Sequence, residues 1–251
     1  MNDPDGTGTA GAPNGSAALN VLVTGASGAS GIAVAGALLR AGHRVFAAGS
    51  DLARIEAAAA KAGDGVTPLV CDLADLAAVR SLRETLAGTA GRMDAVIHLV
   101  GGWRGAQGIA EQTDADWDFL ERGAITTLRN VSRVFFDDLA ASRAGRFAMV
   151  SSTSVENPTA ALASYVAAKA AAETWTMAMA EGFSRAGASG AHAAAVVLVV
   201  KALVDEELRR QQPERKFPGA TDVEDLAAAV VGLFSRPAAE LNGRRLHLAT
   251  T

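Results

Sequence analysis

Short apolar runs alternate along this chain with longer, alanine-rich segments of helical length. Each run is nearly continuous in apolar residues, which is typical of parallel strands that are covered on both faces. Repeated strand–helix order requires crossover connections, so the pattern predicts an α/β fold with a doubly wound, mostly parallel seven-stranded sheet and helices on both faces. The predicted strands are 19–24, 44–49, 66–71, 94–100, 146–152, 192–200 and 245–250, and the predicted helices are 29–41, 51–62, 74–88, 114–140, 163–186 and 221–235.

The chain length predicts a single domain. A chain of 251 residues can bury one sizeable core, and no composition shift, repeat or long linker divides it after residue 19. Residues 1–18 are rich in Gly, Pro, Asn, Asp and Ser, which predicts a disordered N-terminal tail ahead of a folded domain at 19–251.

Charge and composition argue against several classes of protein. The net charge of −4 and the pI of about 5.6 disfavour a nucleic-acid partner. No apolar stretch is long enough to span a bilayer, and the N-terminus lacks the pattern of a secretory signal, so we expect no membrane partner. The only cysteine, Cys71, and four scattered histidines predict no metal site and a reducing, cytoplasmic location.

The turn after the first predicted strand carries three glycines. In "VLVTGASGASGIA" they occupy Gly25, Gly28 and Gly31, between an apolar strand and an alanine-rich helix. In this context a glycine turn lets the backbone approach a phosphate closely while the helix N-terminal amides face the negative charge. No Gly-Lys-Ser/Thr follows, which excludes a P-loop. The alternative is a small-residue turn that binds no ligand.

A second cluster offers acid–base chemistry. Tyr165 and Lys169 are four residues apart on a predicted helix and share a face, and Ser152 ends the preceding strand. A phenol with a pKa of about 10 exchanges protons poorly at neutral pH, but a lysine ammonium about 4 Å away could lower that pKa by about 3. This pattern indicates Tyr165 as the acid/base; the alternative is a surface tyrosine beside a solvated lysine.

Together the two motifs resemble those of the short-chain dehydrogenase/reductase superfamily. The stretch "TGASGASG" is similar to the T-G-x-x-G-x-x-G turn found in that superfamily, and Ser152, Tyr165 and Lys169 are similar to its Ser…Tyr-x-x-x-Lys set. The resemblance covers nearly the whole chain after residue 19. It implies a Rossmann-type fold and hydride transfer between a nicotinamide and a carbonyl or alcohol substrate. It also implies that Tyr165 is the acid/base, that Lys169 tunes it and binds the ribose, and that Ser152 orients the substrate. The implied cofactor-binding residues are Gly25, Ser27, Gly28, Ser30, Gly31, Ser50, Asp72, Leu73, Gly101, Tyr165 and Lys169.

The chain departs from the family pattern at several positions. Ala124 replaces an asparagine that normally supports the catalytic lysine, and Lys201-Ala202 replaces Pro-Gly beside the nicotinamide. "HLVGGW" replaces Asn-Asn-Ala-Gly, and its "GGW" is weakly similar to dihydropteridine reductase; Trp103 could equally be a packing residue. Lys201 could reach an acidic substrate or a cofactor phosphate, or be a solvated lysine. These departures leave open a cofactor-binding protein with little turnover and a structural or regulatory role.

The end of the second predicted strand favours NADP(H), although NAD(H) is possible. An acidic residue there would bind the ribose hydroxyls of NAD and repel a 2′-phosphate. This chain has Gly49 at that position, and Ser50 with Arg54 could receive a phosphate. Asp51 argues mildly for NAD, but we assign it to the cap of the following helix. The resemblance implies that Asp72 contacts the adenine of the cofactor. The alternative is that Asp72 caps the following helix.

The partners expected are a small-molecule carbonyl or alcohol and further copies of this chain. The predicted helices 114–140 and 163–186 carry apolar residues on more than one side. They resemble the helix pair through which the superfamily associates, which predicts a homodimer or homotetramer; burial against the sheet is the alternative. The charged segment 203–220 resembles the substrate lid of the family.

Overall fold

A computed structural model of the chain describes residues 18–187 and 192–248. The predicted tail, apart from residue 18, and residues 249–250 of the last predicted strand lie outside these ranges. The described strands are β1 (Asn20–Thr24), β2 (Arg44–Gly49), β3 (Thr67–Val70), β4 (Ala95–His98), β5 (Arg146–Ser152), β6 (Ala194–Val200), β7 (Leu203–Val204), β8 (Thr221–Asp222) and β9 (Arg244–His247). The described helices are α1 (Ala29–Arg40), α2 (Leu52–Ala62), α3 (Leu76–Ala90), α4 (Asp114–Leu120), α5 (Thr127–Ala140), α6 (Ala163–Ala186), α7 (Glu206–Gln211), α8 (Val223–Gly232) and α9 (Ala238–Leu241).

Seven strands form one parallel sheet in the order β3-β2-β1-β4-β5-β6-β9. The predicted Rossmann-type, doubly wound sheet in a single domain is therefore confirmed. Because the chain runs outward from β1 to β3 and then returns to β4, the winding direction reverses between β1 and β4. Ligands of such sheets bind at this reversal, beyond the carboxyl ends of the strands.

The sheet separates two apolar layers, which explains the nearly continuous apolar runs. In β5, Phe147 and Met149 pack in the layer that includes α3, α5 and α6, whereas Ala148 packs in the layer of α1, α2 and α8. Every residue of β6 is buried. A strand that is covered on both faces needs apolar side chains at odd and even positions alike.

The predicted helix 114–140 is not continuous. Residues Glu121–Thr126 form a π-helical turn between α4 and α5. Gly123 lies in this turn, and the hydroxyl of Thr127 donates a hydrogen bond to its carbonyl oxygen over 2.7 Å. A glycine weakens α-helical geometry, and the Thr127 hydroxyl gives the widened turn an additional hydrogen bond.

The predicted helix 221–235 is shorter, because Thr221–Asp222 pairs with Leu203–Val204 in a separate two-stranded sheet. This pairing closes the segment 203–220, which also contains α7. The amide of Thr221 donates to the carbonyl of Ala202 over 2.9 Å. The segment that resembles a lid is therefore a folded loop whose two ends are bonded to each other.

Candidate active site

Two clefts meet beyond the carboxyl ends of the strands. The Tyr165 cleft has a volume of about 670 Å³ and the Ser50 cleft one of about 480 Å³, and residues 99–101, which follow β4, line both. Of the predicted site residues, the Tyr165 cleft is lined by Ser30, Gly101, Tyr165 and Lys169. The Ser50 cleft is lined by Gly25, Ser27, Gly28, Ser50, Asp72, Leu73 and Gly101. The fold therefore brings both sequence motifs to the reversal point of the sheet.

Two of the three glycines are required by the chain itself. Gly25 has φ +71°, and a Cβ there would lie 2.8 Å from the carbonyl carbon of Leu99. A Cβ on Gly31 would lie 2.4 Å from Cα of Ala26, so this glycine lets α1 pack against the turn, and it lines neither cleft. These two residues therefore shape the turn.

Gly28 is different, because a Cβ there would have only the carbonyl oxygen of Gly25 within 4 Å, at 3.9 Å. Gly28 is also the residue before the first turn of α1, and its extended backbone offers no side-chain cap to the helix amides. The turn thus keeps open space beside uncapped helix N–H groups. An anionic group of a ligand fits this arrangement.

Tyr165 is half-buried in its cleft and forms a hydrogen bond with Ser152. Ser152 is buried, and its hydroxyl oxygen also accepts a hydrogen bond from the amide of Ser154 over 3.1 Å. Burial raises the pKa of Tyr165, and the Ser152 hydrogen bond partly offsets that effect. Ser152 does not line the cleft directly. It contacts Tyr165 instead.

Lys169 is buried one turn further along α6. Its ammonium nitrogen donates to the carbonyl oxygen of Val150 over 2.9 Å and lies 3.3 Å from where a Cβ on Gly101 would be. Burial lowers the pKa of Lys169 to about 8, and the carboxylate of Glu173, four residues on, opposes this effect. Glu173 itself is held by the guanidinium of Arg245 over 2.8 Å.

The expected lowering of the Tyr165 pKa by Lys169 is therefore wrong for this arrangement. The physical reason is that burial of the phenol, which disfavours the charged phenolate, has the largest effect on this pKa. A lysine four residues further along the helix is therefore not enough to lower the pKa of Tyr165.

His98 stands where the family has the first asparagine, and it is buried between two threonines. Its Nδ1 lies 2.8 Å from the hydroxyl of Thr24 and its Nε2 lies 3.2 Å from that of Thr127. Because Thr127 gives its one hydroxyl proton to Gly123, the Nε2 of His98 must carry the ring proton and donate. A hydrogen-bonded chain thus links β1, β4 and the π-helical turn.

The His98 imidazole should make the protein sensitive to acid. Burial, and to a smaller extent the charge of Lys169, lowers its pKa to about 3. Between this value and the ordinary value of 6.5 the unfolded chain binds a proton that the folded protein does not, so stability falls as pH falls. We expect a loss of about 2 kcal/mol between pH 7 and pH 4.5 from this group. Urea unfolding of the wild type and His98→Asn at both pH values measures it.

The asparagine variant should retain polar contacts to both threonines but cannot take up a proton. The wild type should therefore lose more unfolding free energy than His98→Asn over the same pH interval. Equal losses in the two proteins would contradict the assignment, because all other titrating groups are shared.

The π-helical turn packs directly behind the site. A Cβ on Gly123 would lie 3.8 Å from Cα of Gly101, an ordinary van der Waals distance, so the turn packs against the loop that covers Lys169. Ala124, in the same turn, is buried against Leu120 and Ala168. Its methyl group makes an apolar contact where the family's asparagine would offer a polar one.

Gln112 is a functional candidate that the sequence analysis missed. Its side-chain oxygen accepts from the amide of Ser164 over 3.3 Å, one residue before Tyr165, where α6 has no side-chain cap of its own. Its side-chain nitrogen donates to the carbonyls of Gly108 and Ala160, each over 3.1 Å. Gln112 thus fastens the loop after β4 to the start of α6. Two of the residues that Gln112 binds, Ala160 and Ser164, lie 48 and 52 residues further along the chain, so no local sequence pattern predicts these contacts.

The Ser50 cleft contains the predicted determinants of cofactor choice. Asp51 caps α2 by accepting from the amide of Arg54 over 2.8 Å, as predicted. A Cβ on Gly49 would lie 2.6 Å from the hydroxyl oxygen of Ser27. An acidic side chain at Gly49 would therefore require Ser27 to move. Ser50 and Arg54 are exposed and line the same cleft.

Asp75, not Asp72, caps α3, so the helix-cap alternative predicted for Asp72 is wrong, and the Asp72 carboxylate has other partners. One carboxylate oxygen accepts from the amide of Ala74 over 3.0 Å, and the other accepts from the guanidinium of Arg122 over 2.7 Å. It therefore stabilises the turn before α3 and ties the π-helical turn to this end of the sheet. Asp72 still lines the Ser50 cleft.

The described residues, 18–187 and 192–248, contain neither a metal-binding cluster nor a membrane-spanning helix. Within them, no group of three or more His, Cys, Asp or Glu side chains is placed to hold a metal ion. No helix in the same ranges has the length and apolar character needed to cross a bilayer.

Comparison with known proteins identifies the relatives of this chain. Nodulation protein G of Rhizobium meliloti (strain 1021) is 25% identical over 236 residues, which are 90% of this chain and 94% of that protein. An NADPH-bound short chain oxidoreductase of Pseudomonas aeruginosa PAO1 with an atypical catalytic center has a TM-score of 0.80 at 22% identity, covering 92% of this chain and 95% of that one.

A 3-ketoacyl-(acyl-carrier-protein) reductase of Brucella melitensis complexed with NADH has a TM-score of 0.77 at 22% identity, covering 92% and 96% of the two chains. At these identities the two structures establish a shared fold. The sequence model for short chain dehydrogenases matches residues 19–215, which include the glycine turn, Ser152, Tyr165 and Lys169. The chain therefore belongs to the short-chain dehydrogenase/reductase family.

Proposed function

We propose that the protein is an NADP(H)-dependent oxidoreductase that interconverts a carbonyl compound and an alcohol. The observation that carries this proposal is that Tyr165 and Lys169 line one cleft, which meets the open glycine turn at Gly101. The open space at Gly28 and the unpartnered, buried hydroxyl of Ser151 beside the first cleft fit a bound nicotinamide nucleotide. Relatives with bound NADPH and NADH support the cofactor class.

The bound nicotinamide would supply the hydride, and the protein would supply the proton and the placement. In reduction, the carbonyl carbon gains a hydride while Tyr165 gives its phenolic proton to the carbonyl oxygen, so that one alcohol forms and the phenolate is later reprotonated from solvent. Ser152, already bonded to Tyr165, would hold the substrate oxygen and stabilise its developing charge. Oxidation of an alcohol runs through the same groups in reverse.

Lys169 would bind the nicotinamide ribose. One of its three N–H bonds is directed to Val150, which leaves two for ligand hydroxyl groups. Gly25, Ser27, Gly28 and Ser30 would surround the pyrophosphate, while Gly31 shapes the turn behind them. The adenosine end would lie in the Ser50 cleft, with Ser50, Asp72 and Leu73 around it.

The general experiment is an assay of NADPH oxidation with a panel of aldehydes and ketones. Consumption that depends on both the carbonyl compound and Tyr165 supports the enzyme. If no carbonyl compound or alcohol is turned over while NADPH still raises the melting temperature, the protein is the alternative: a cofactor-binding member with a structural or regulatory role.

Arg54 provides a test of cofactor choice. We expect Arg54→Gln to weaken NADPH binding about fivefold and to leave NADH binding unchanged, because only NADPH carries the 2′-phosphate that this exposed arginine would pair with. Titration calorimetry with both cofactors measures the two affinities. An equal effect on NADH, or tighter binding of NADH by the wild type, would overturn the preference for NADP(H).

We further propose that copies of the chain associate through α5 and α6. An apolar groove between these helices is lined by Phe136, Trp175 and Met179, and Trp175 is 36% exposed. This helix pair is the one by which the superfamily forms homodimers and homotetramers. Light scattering on the eluting protein should give twice or four times 25.5 kDa, and Trp175→Glu should lower that mass.

A further inference from the structure

The cations of the Tyr165 cleft suggest the class of substrate, an inference that rests on the proposed function. Besides Lys169, this cleft is lined by Lys201 and Arg215, and among residues 18–187 and 192–248 no aspartate or glutamate lines it. Both cations are exposed, and neither of them lines the Ser50 cleft. The cleft therefore carries an excess of positive charge, and the proposed acid–base chemistry does not use Lys201 or Arg215.

The segment after β6 holds these two cations in place. The ammonium group of Lys201 donates to the carbonyl of Pro218 over 2.8 Å, which joins the end of β6 to the far part of the segment. Arg215 donates to the side-chain oxygen of Gln212 over 2.9 Å, and its guanidinium lies 5.0 Å from the ring centre of Phe217. The two side chains are thus anchored by neutral groups.

Other arginines of this segment are neutralised. Arg209 pairs with Asp222 over 2.7 Å, and Arg210 pairs with Glu207 over 2.5 Å. Neither of them lines the cleft. By contrast, within residues 18–187 and 192–248, Lys201 and Arg215 make no ion pair. The two cations that face the cleft are therefore available to a ligand.

The remaining lining of the cleft is mostly apolar. Trp103 is 63% exposed, and Val150, Val200 and Leu203 line the same space. An exposed indole that lines a cleft offers a flat face for a planar ligand. The cleft thus combines an apolar, partly aromatic wall with two cations.

We propose that the substrate is a planar carbonyl compound that carries a carboxylate, with the carboxylate bound by Lys201 and Arg215 and the planar body against Trp103. A guanidinium matches the two oxygens of a carboxylate, and an ammonium group adds a second charge-assisted bond. The carbonyl then lies toward Tyr165. Lys201 and Arg215 are specificity-determining residues in this arrangement.

The test compares 4-formylbenzoate with its uncharged methyl ester, which share the aldehyde and the ring. With saturating NADP⁺ present, so that no reduction occurs, titration calorimetry should show that the wild type binds the carboxylate roughly tenfold more tightly than the ester. The preference should shrink several-fold in Arg215→Met and disappear in Lys201→Met/Arg215→Met. Lys216→Met, an exposed cation of the same segment that does not line the cleft, serves as the matched control and should keep the preference.

Each outcome decides a separate point. Equal binding of acid and ester by the wild type, or a preference that survives the double substitution, would overturn the proposal. If the substitutions instead weaken NADP⁺ binding and leave the preference intact, the cations serve the cofactor and the proposal is wrong. The double substitution also removes the Lys201–Pro218 hydrogen bond and could unfold the segment. Arg215→Met keeps that bond, so its smaller preference tests the proposal separately. If the carboxylate preference holds but NADPH is never oxidised, the binding site stands and the proposed enzymatic function fails.

Discussion

Tyr165→Phe is expected to reduce the kcat of NADPH-dependent carbonyl reduction about 1000-fold, because it removes the group that would protonate the carbonyl oxygen. The ring remains, so the packing of the half-buried side chain at the start of α6 is preserved. Only the hydroxyl group and its hydrogen bond with Ser152 are lost. Steady-state assays with a turned-over aldehyde measure kcat, and melting curves with and without NADPH measure cofactor binding.

Cofactor binding should fall far less than kcat, since Tyr165→Phe leaves Lys169 and the glycine turn in place. Ser152→Ala is a useful companion, because it removes the same hydrogen bond from Tyr165 but leaves the phenol in place, and its kcat should fall less. The acid/base role would be contradicted if Tyr165→Phe kept the wild-type kcat, or if its kcat fell only as far as that of Ser152→Ala.

Matched alanine substitutions in the glycine turn should separate ligand binding from folding. A Cβ on Gly28 would enter open space next to the first turn of α1, so Gly28→Ala should fold normally and bind NADPH about 30-fold more weakly. Its backbone, with φ −91° and ψ 167°, is one that alanine adopts without strain. The gain of one methyl group is therefore felt by the ligand alone.

Gly31→Ala should have the opposite result. The added Cβ would lie 2.4 Å from Cα of Ala26, so α1 must move away from the turn, and we expect a loss of about 3 kcal/mol in the free energy of unfolding. Urea unfolding gives the stability of both variants, and calorimetry gives their NADPH affinity. If Gly28→Ala bound NADPH as tightly as the wild type, the open space would not be the phosphate site.

The fold could be predicted from the sequence because its signals are local and repeated. An apolar run of β-strand length before a helical segment has the same meaning wherever it lies in the chain. Six such units and a final strand predict a parallel sheet. Errors occurred where a tertiary contact overrides a local pattern. The helix predicted at 114–140 contains the π-helical turn that packs Gly123 on Gly101, and the helix predicted from residue 221 begins later because Thr221 is used by β8.

The candidate site was predictable in its residues but not in its electrostatics. The spacing of Tyr165 and Lys169 places both side chains in one cleft, as helical geometry requires. The spacing does not show that Lys169 bonds to Val150 or that burial raises the pKa of Tyr165. A pKa depends on every atom around a group, and most of those atoms come from distant parts of the chain.

By itself, the sequence determined the order of strands and helices, the family, and the residues that occupy the reversal point of the sheet, because each of these follows from patterns a few residues long. Only the tertiary structure decided which glycine leaves room for a ligand, that Gln112 caps the helix of Tyr165, and that His98 stays neutral. It also decided that Lys201 and Arg215 face one cleft and that, within the described part of the chain, neither has an acidic partner. These properties depend on close contacts between residues far apart in the chain, and no local pattern encodes such contacts.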